Sequence, residues 1–219
     1  SRAEKPIMII GDRLAGANVD AVRLAETAGI PVYGHGSAEV NFPASHPLWQ
    51  GNLSVRAPQA IEAIRSADLI LAIGCTVFDD FFYQPGSVIG PGTSLVHIDS
   101  DPGSIGKSEP TDIGILAAPP AVVSQLADAV SEIFTGTRAE EAALRVREAK
   151  AASTARREAF GRSAAAQRNG APMSPATMAR ALSYALPPNA TVFNDGISAG
   201  GTIFEALSPS ERGSYYAIR

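Results

Sequence analysis

Cysteine is almost missing from this sequence, and the single Cys75 excludes two kinds of cross-linked protein. One cysteine forms no intrachain disulfide, and it does not supply the grouped thiolates of a cysteine-based zinc site. A chain without disulfides suits a reducing compartment. We therefore expect a cytoplasmic protein.

Long apolar runs and an excess of positive charge are missing as well. The longest apolar stretch, residues 68–74, is far shorter than the roughly 20 residues that cross a bilayer. The first six residues lack the apolar core of a signal peptide. A formal net charge of −4 opposes general binding to nucleic acid. The sequence predicts no membrane partner and no nucleic-acid partner.

Apolar runs of strand length alternate with helical patterns over residues 1–135. Residues 6–10 are continuously apolar, which is typical of a strand buried on both faces. Val19, Val22 and Ala25 follow at helical spacing, and Gly29 is expected to end that helix. Further strands are predicted at 30–33, 69–73, 94–98 and 113–117, and further helices at 57–67 and from Pro119, the last with Val123, Leu126, Val130 and Ile133 on one face. This alternation predicts a doubly wound α/β domain with a mostly parallel sheet, spanning residues 1–135.

Composition changes after Gly136. Residues 136–170 hold 8 of the 18 Lys and Arg residues, with many alanines. A basic helix can contact nucleic-acid or membrane phosphates, but no aromatic residues alternate with the charges in the manner of a nucleic-acid surface. The composition favours a solvated helical linker.

A third segment covers residues 171–219. Ser174 and Pro175 are expected to begin a helix that buries Met178, Leu182 and Ala185. Residues 190–193 predict one strand, and a helix to Leu207 follows the turn at 194–198. A segment of this size with one strand cannot close a core alone. We expect the start of a second, incomplete α/β domain.

Local motifs do not indicate a catalytic constellation. The turn from Gly11 to Gly16 matches neither a dinucleotide fingerprint nor a Walker A motif, which favours a turn without ligand. His46 precedes Pro47 in a loop, where turn hydrogen bonding is the common role. Asp99 and Asp101 come after a strand, where α/β folds bind ligands, but an Asx turn before Pro102 is the favoured interpretation. The adjacent Asp79 and Asp80 could bind a hard cation, but neighbouring carboxylates point apart, and a solvated loop is the favoured interpretation.

Four stretches carry a family resemblance through their order and spacing: 42–51, 67–74, 91–93 and 96–102. They are arranged like the central domain of thiamine-diphosphate enzymes that act on 2-oxo acids, and most resemble benzoylformate decarboxylases. Beyond the linker, 192–198 and 213–216 resemble the opening of the cofactor-binding domain. The resemblance implies thiamine diphosphate and Mg²⁺ in a full-length parent, with none in this chain alone.

Site residues follow from the resemblance alone. It implies that Gly196, Ile197 and Ser198 lie where the cofactor diphosphate is approached; a turn with Ser198 as helix N-cap is the alternative. Phe81 occupies the position of an active-site histidine of benzoylformate decarboxylases. The resemblance implies that it faces the substrate, where Phe offers an apolar contact and no proton transfer; packing under its own loop is the alternative. Val77 replaces the Arg that precedes Phe78 in acetolactate synthases, so FAD is not expected. No metal ligand and no catalytic residue is assigned within the chain.

Two hypotheses follow from this sequence. The first is a non-catalytic fragment of a thiamine-diphosphate-dependent carbon–carbon lyase, whose partners are its own missing N- and C-terminal domains in a homo-oligomeric (dimeric or tetrameric) parent. The second is a free-standing nucleotide-binding α/β module, which needs a ligand at the carboxyl ends of the strands.

Overall fold

A six-stranded parallel sheet organises the first part of the chain. The computed structural model describes residues 3–36, 38–53, 58–78, 85–167 and 171–217. Within those ranges the strands follow the spatial order β3-β2-β1-β4-β5-β6, and all neighbours run parallel. The strands are β1 (Pro6–Ile10), β2 (Val32–Gly34), β3 (Trp49–Asn52), β4 (Leu69–Ile73), β5 (Ser94–Asp99) and β6 (Ile113–Leu116). The predicted doubly wound α/β fold is confirmed, and its strand order reverses between β1 and β4.

The two faces of this sheet carry separate apolar clusters. Helices α1 (Asn18–Ala28) and α3 (Pro119–Ile133) pack on one face with Met8 and Ile10, while α2 (Pro58–Ser66) packs on the other with Ile9. Every residue of β1 is buried, as its continuous apolar run predicts. Gly29 ends α1 in the left-handed conformation, with φ of 64°.

Two details of this domain differ from the sequence analysis. Strand β3 was not predicted, because its residues Trp49-Gln50-Gly51-Asn52 form no apolar run. Ile133 was expected on the inward face of α3 but is 47% exposed, and it is the last residue of that helix.

Helix α4 (Thr137–Ala166) lies along the domain as one helix of 30 residues. Small side chains, Ala142, Ala149 and Ser153, form its buried side. Arg145 donates from Nε to the carbonyl oxygen of Gly29 (3.1 Å) and from Nη2 to that of Ala28 (2.8 Å). The helix thus stabilises the end of α1, where carbonyl groups lack helical partners.

The last segment contains α5 (Pro175–Ala185), β7 (Val192–Asn194), α6 (Gly200–Leu207) and β8 (Tyr215–Ala217). Ser174 caps α5 as predicted, since its Oγ accepts from the N–H of Thr177. Strand β8 adds a second strand to the single one expected, and it pairs with β7 in parallel. The predicted buried face of α5 is wrong: the helix buries Ala179, whereas Leu182 and Ala185 are exposed because a different side of the helix faces its neighbours.

Candidate functional site

The three predicted cofactor-binding residues, Gly196, Ile197 and Ser198, lie together in the turn between β7 and α6. All three are exposed, and Ile197 projects fully into solvent. The carboxyl end of a parallel strand followed by the N-terminus of a helix is a common place for anion binding in α/β proteins. The local geometry therefore agrees with a ligand-facing turn.

The Asn194 side chain anchors this turn through hydrogen bonds. Its buried side chain accepts from the N–H of Gly196 through Oδ1 (2.9 Å) and donates from Nδ2 to the Tyr215 hydroxyl (2.6 Å). A Cβ at Gly196 would lie 3.0 Å from Asn194 Oδ1, and one at Gly200 2.9 Å from Asn194 Nδ2. Glycine at both positions lets the backbone close tightly around the Asn194 amide.

The N–H groups of Ile197 and Ser198 find no acceptor among the described residues. The N-cap of α6 is Ala199, which makes no side-chain capping bond. The alternative in which Ser198 caps the helix is therefore wrong, because the helix begins one residue later than that alternative requires. Free N–H donors and one hydroxyl at a helix N-terminus fit an anionic group such as a diphosphate.

Aromatic side chains attach this segment to the first domain. The ring of Phe204 on α6 lies 6.0 Å from that of Trp49 and 5.1 Å edge-on from that of Tyr215. Arg156 of α4 forms an ion pair with Glu205. Burial raises the pKa of Tyr215, opposed by the Asn194 hydrogen bond. The Tyr215 hydroxyl stays protonated and available to Asn194.

A second polar cluster lies at the carboxyl ends of β1, β4 and β5. Arg13 donates from Nε and Nη2 to the two carboxylate oxygens of Asp99, at 2.6 and 2.7 Å. Its Nη2 also contacts the hydroxyls of Thr76 (3.4 Å) and Ser104 (3.0 Å). The side-chain hydrogen bond to Asp99 raises the pKa of Arg13. The guanidinium therefore spans the end of β4 and occupies the crevice at the point where strand order reverses.

The backbone closes the same crevice from beneath. A Cβ at Gly11 would lie 2.6 Å from the Cys75 Cβ, and one at Gly74 would lie 2.7 Å from the Leu14 nitrogen. The dinucleotide-binding folds use glycines in this region so that a pyrophosphate approaches the backbone. Here the glycines let the loop after β1 approach the loop after β4, which agrees with a turn without ligand.

Two buried groups beside this cluster have shifted pKa values. Burial raises the pKa of the Cys75 thiol to about 12, so it is not a ready nucleophile. Burial lowers the pKa of His97, opposed by the hydrogen bond between its Nε2 and the Cys75 carbonyl (2.8 Å). Both groups therefore remain neutral at pH 7.

The predicted turn roles near these residues are confirmed. Asp99 Oδ1 accepts from the N–H of Asp101, and Asp101 Oδ1 accepts from that of Gly103, which is the Asx pattern. His46 Nδ1 accepts from the N–H of Leu48 (3.2 Å).

Within the described ranges no three His, Cys, Asp or Glu residues are grouped closely enough to hold a metal ion. None of the described helices has the length and apolarity needed to cross a bilayer.

Family comparison agrees with this arrangement. Residues 1–126, more than half of the chain, match the central domain of thiamine pyrophosphate (thiamine diphosphate) enzymes. The chain belongs to this family. The family resemblance seen in the sequence is thereby confirmed, and the six-stranded sheet is its central domain.

Sequence relatives within the family include acetolactate synthases. The probable acetolactate synthase large subunit of Methanocaldococcus jannaschii is 33% identical over 119 residues, which cover 53% of this chain and 20% of that protein. The acetolactate synthase of Mycobacterium avium is 33% identical over 129 residues, or 58% of this chain and 21% of its own length.

Solved structures extend the fold likeness beyond the central domain. A thiamine diphosphate-dependent 4-hydroxybenzoylformate decarboxylase from Rhodococcus jostii superposes with a TM-score of 0.74 at 22% identity, covering 98% of this chain and 38% of that one. The benzoylformate decarboxylase of Polynucleobacter necessarius gives 0.73 at 17% identity, covering 99% and 38%. The chain thus spans about a fifth of its curated relatives' length and under two fifths of these solved chains.

The sequence analysis did not identify the Arg13 cluster. Arg13 and Asp99 are 86 residues apart, so no local pattern joins them. The available signal was that each follows or ends a buried strand at the same edge of a parallel sheet. Phe81, with Asp79 and Asp80, lies outside the described residues.

Proposed function

We propose that this chain supplies the central domain and the diphosphate-facing turn of a thiamine-diphosphate-dependent enzyme that decarboxylates a 2-oxo acid, in the manner of benzoylformate decarboxylases. The observation that carries the proposal is the turn at 195–199, where free N–H groups and the Ser198 hydroxyl face outward above a glycine-lined Asn194 anchor. When bound, thiamine diphosphate would supply a nucleophilic carbon and an electron sink for the loss of CO2.

Each residue of the turn has a distinct task in this proposal. Gly196 lets the backbone approach the diphosphate, Ile197 exposes its N–H, and Ser198 adds a hydroxyl donor. The exposed carboxylate of Asp195 opposes a bare anion. The proposal therefore requires Mg²⁺ to accompany the diphosphate, held by a later segment of the parent protein.

The nucleotide-module hypothesis has less support. A nucleotide at the carboxyl ends of the strands would have to displace the Arg13 side chain from Asp99, Thr76 and Ser104. The same crowding, together with the buried Val77, argues against FAD in this domain. The proposed partners are accordingly the other domains of the same enzyme, assembled as a homo-oligomer.

Acetolactate synthesis is the second candidate, because the curated relatives described above carry that name. The two activities are distinguished by their products: decarboxylation of an aryl 2-oxo acid yields an aldehyde and CO2, whereas acetolactate synthesis joins two pyruvate units with loss of one CO2.

Phe81 is proposed to contact an apolar substrate. Such a contact is worth about 1–3 kcal/mol, so Phe81→Ala in the full-length enzyme should raise KM for that substrate about 5- to 150-fold.

The test compares Ser198→Ala with Ser183→Ala in the complete enzyme. Ser183 serves as control because its hydroxyl donates within its own helix, to Arg180. Loss of a hydrogen bond to a charged group costs about 1.5–3 kcal/mol, so Ser198→Ala should weaken thiamine diphosphate binding about tenfold or more. Equal affinity in both variants would contradict the assigned turn.

The 219-residue chain alone should release no CO2 from any 2-oxo acid with cofactor and Mg²⁺ added.

A further inference from the structure

The face of the sheet under α1 and α3 is packed unevenly. On β1 and at the end of β4, Met8, Ile10 and Ile73 are at most 1% exposed. On β4, β5 and β6, Leu71, Val96 and Ile115 remain only partly buried although α3 packs on this face. Interiors are normally close-packed, so a gap beneath a packed helix is unusual.

This gap is a cavity of about 230 Å³ at the amino ends of the strands. Its floor is formed by β1, β4, β5 and β6, and its roof by Leu126 and Val130 of α3 and by Phe134, which follows that helix. It lies at the edge of the sheet opposite the Arg13 cluster, so it is separate from that crevice. An apolar protein cavity of about 150 Å³ binds benzene, and this one is larger.

Arg145 is the one charged residue among the described residues that line the cavity. Its Nε and Nη2 are fixed by the carbonyl oxygens of Gly29 and Ala28, while Nη1 has no acceptor among the described residues. Two hydrogen bonds hold the guanidinium in place before any ligand arrives, which reduces the cost of ordering it. The site therefore combines an apolar chamber with one positioned cation.

We propose that this cavity binds a small amphiphilic carboxylate, with its apolar body between α3 and strands β4–β6 and its carboxylate paired with Arg145. Charge complementarity selects this class over neutral apolar molecules. The lining contains one cation, and that cation keeps a donor unused. A carboxylate accepts from guanidinium N–H groups with strong, charge-assisted hydrogen bonds.

The experiment titrates the 219-residue chain with hexanoate, octanoate and octan-1-ol, by calorimetry and by amide NMR shifts. Each buried methylene is worth about 0.8 kcal/mol, or about fourfold in Kd, so octanoate should bind about 15-fold tighter than hexanoate. Octanoate should bind about fivefold tighter than octan-1-ol because of the Arg145 pair. Absence of octanoate binding at millimolar concentration would overturn the proposal.

Variants locate the site. Val130→Phe fills the cavity and should reduce octanoate affinity at least tenfold, whereas Val19→Phe, at a position 82% exposed, should leave it unchanged. Val96→Phe repeats the test from the sheet if Val130→Phe does not fold.

The contribution of the charge is tested at Arg145. Arg145→Met should abolish the preference for octanoate over octan-1-ol while octan-1-ol still binds. Arg147→Met, at an exposed position, should keep that preference. Unchanged octanoate binding in both cavity-filling variants, or an unchanged preference in Arg145→Met, would refute the site.

Discussion

The central sheet and the segment after residue 171 differ in how far they bury their own apolar side chains. Every residue of β1 is buried, and two apolar clusters cover the two faces of the sheet. The later segment exposes five large apolar side chains: Met173, Leu182, Tyr184, Phe193 and Ile197. The sheet therefore carries its own core, whereas the later segment leaves several large apolar side chains in contact with solvent.

The largest difference is expected when the two regions are prepared as separate chains. We expect residues 1–135 to fold alone and to unfold cooperatively, because the six strands and the helices on both faces lie within them. Residues 171–219 alone should be disordered, since two strands without a covering layer are marginal in water. Circular dichroism and proton NMR would check both. A disordered 1–135 would contradict the domain boundary.

The apolar pattern predicted most of the central fold and less of the rest. Strands β1, β4 and β5 and the end of α1 at Gly29 follow from contiguous signals in the chain. Strand β3 depends on pairing with β2, and such tertiary effects are not visible in four residues of mixed polarity. The α5 pattern of Met178, Leu182 and Ala185 has helical periodicity, but the helix buries Ala179 and leaves Leu182 and Ala185 exposed.

The candidate site divides in the same way. The turn at Gly196–Ser198 was assigned through the family resemblance of its contiguous sequence, and it lies between a strand and a helix. Its support was not predictable, because the bond from Asn194 to Tyr215 joins residues 21 positions apart. Long-range polar pairs such as this one, and Arg13 with Asp99, are set by the fold and not by neighbours in the sequence.

Two glycines with positive φ, Gly29 and Gly92, separate the cost of local backbone strain from the cost of a long-range steric contact. At Gly29 a Cβ would lie 2.7 Å from the Ala142 Cα, and φ is positive. Gly29→Ala should therefore cost about 3 kcal/mol or more, from backbone strain and displacement of α4. Gly92 also has positive φ but nothing within 4 Å. Gly92→Ala should cost about 1 kcal/mol. Equal losses in urea unfolding would show that α4 does not press on the end of α1.

Attachment of the later segment to the sheet is tested at Phe204. Its ring contacts Trp49 and Tyr215, so Phe204→Ala should cost about 2 kcal/mol and make residues after 171 sensitive to limited proteolysis. Phe193 is 72% exposed and stacks on Tyr216 alone among the described rings. Phe193→Ala should cost about 0.5 kcal/mol or less. Similar proteolysis of both variants would mean that the aromatic contacts do not attach this segment.

Acid should weaken the central sheet through His97. Burial lowers the pKa of the folded-state imidazole below its ordinary value of 6.5, so the unfolded chain binds its proton more readily. The stabilising contribution of neutral His97 is fully present above pH 6.5 and is lost as pH falls below that value. The loss is about 1.4 kcal/mol for each unit that separates the two pKa values. His97→Gln keeps a donor for the Cys75 carbonyl but has no proton to gain. Its unfolding free energy should fall less than that of the unaltered chain between pH 7.5 and 5. Because the ring lies in β5, the difference should persist in a chain ending at Thr135. If both proteins lose the same stability over this range, the buried His97 is not the group through which acid acts on the sheet.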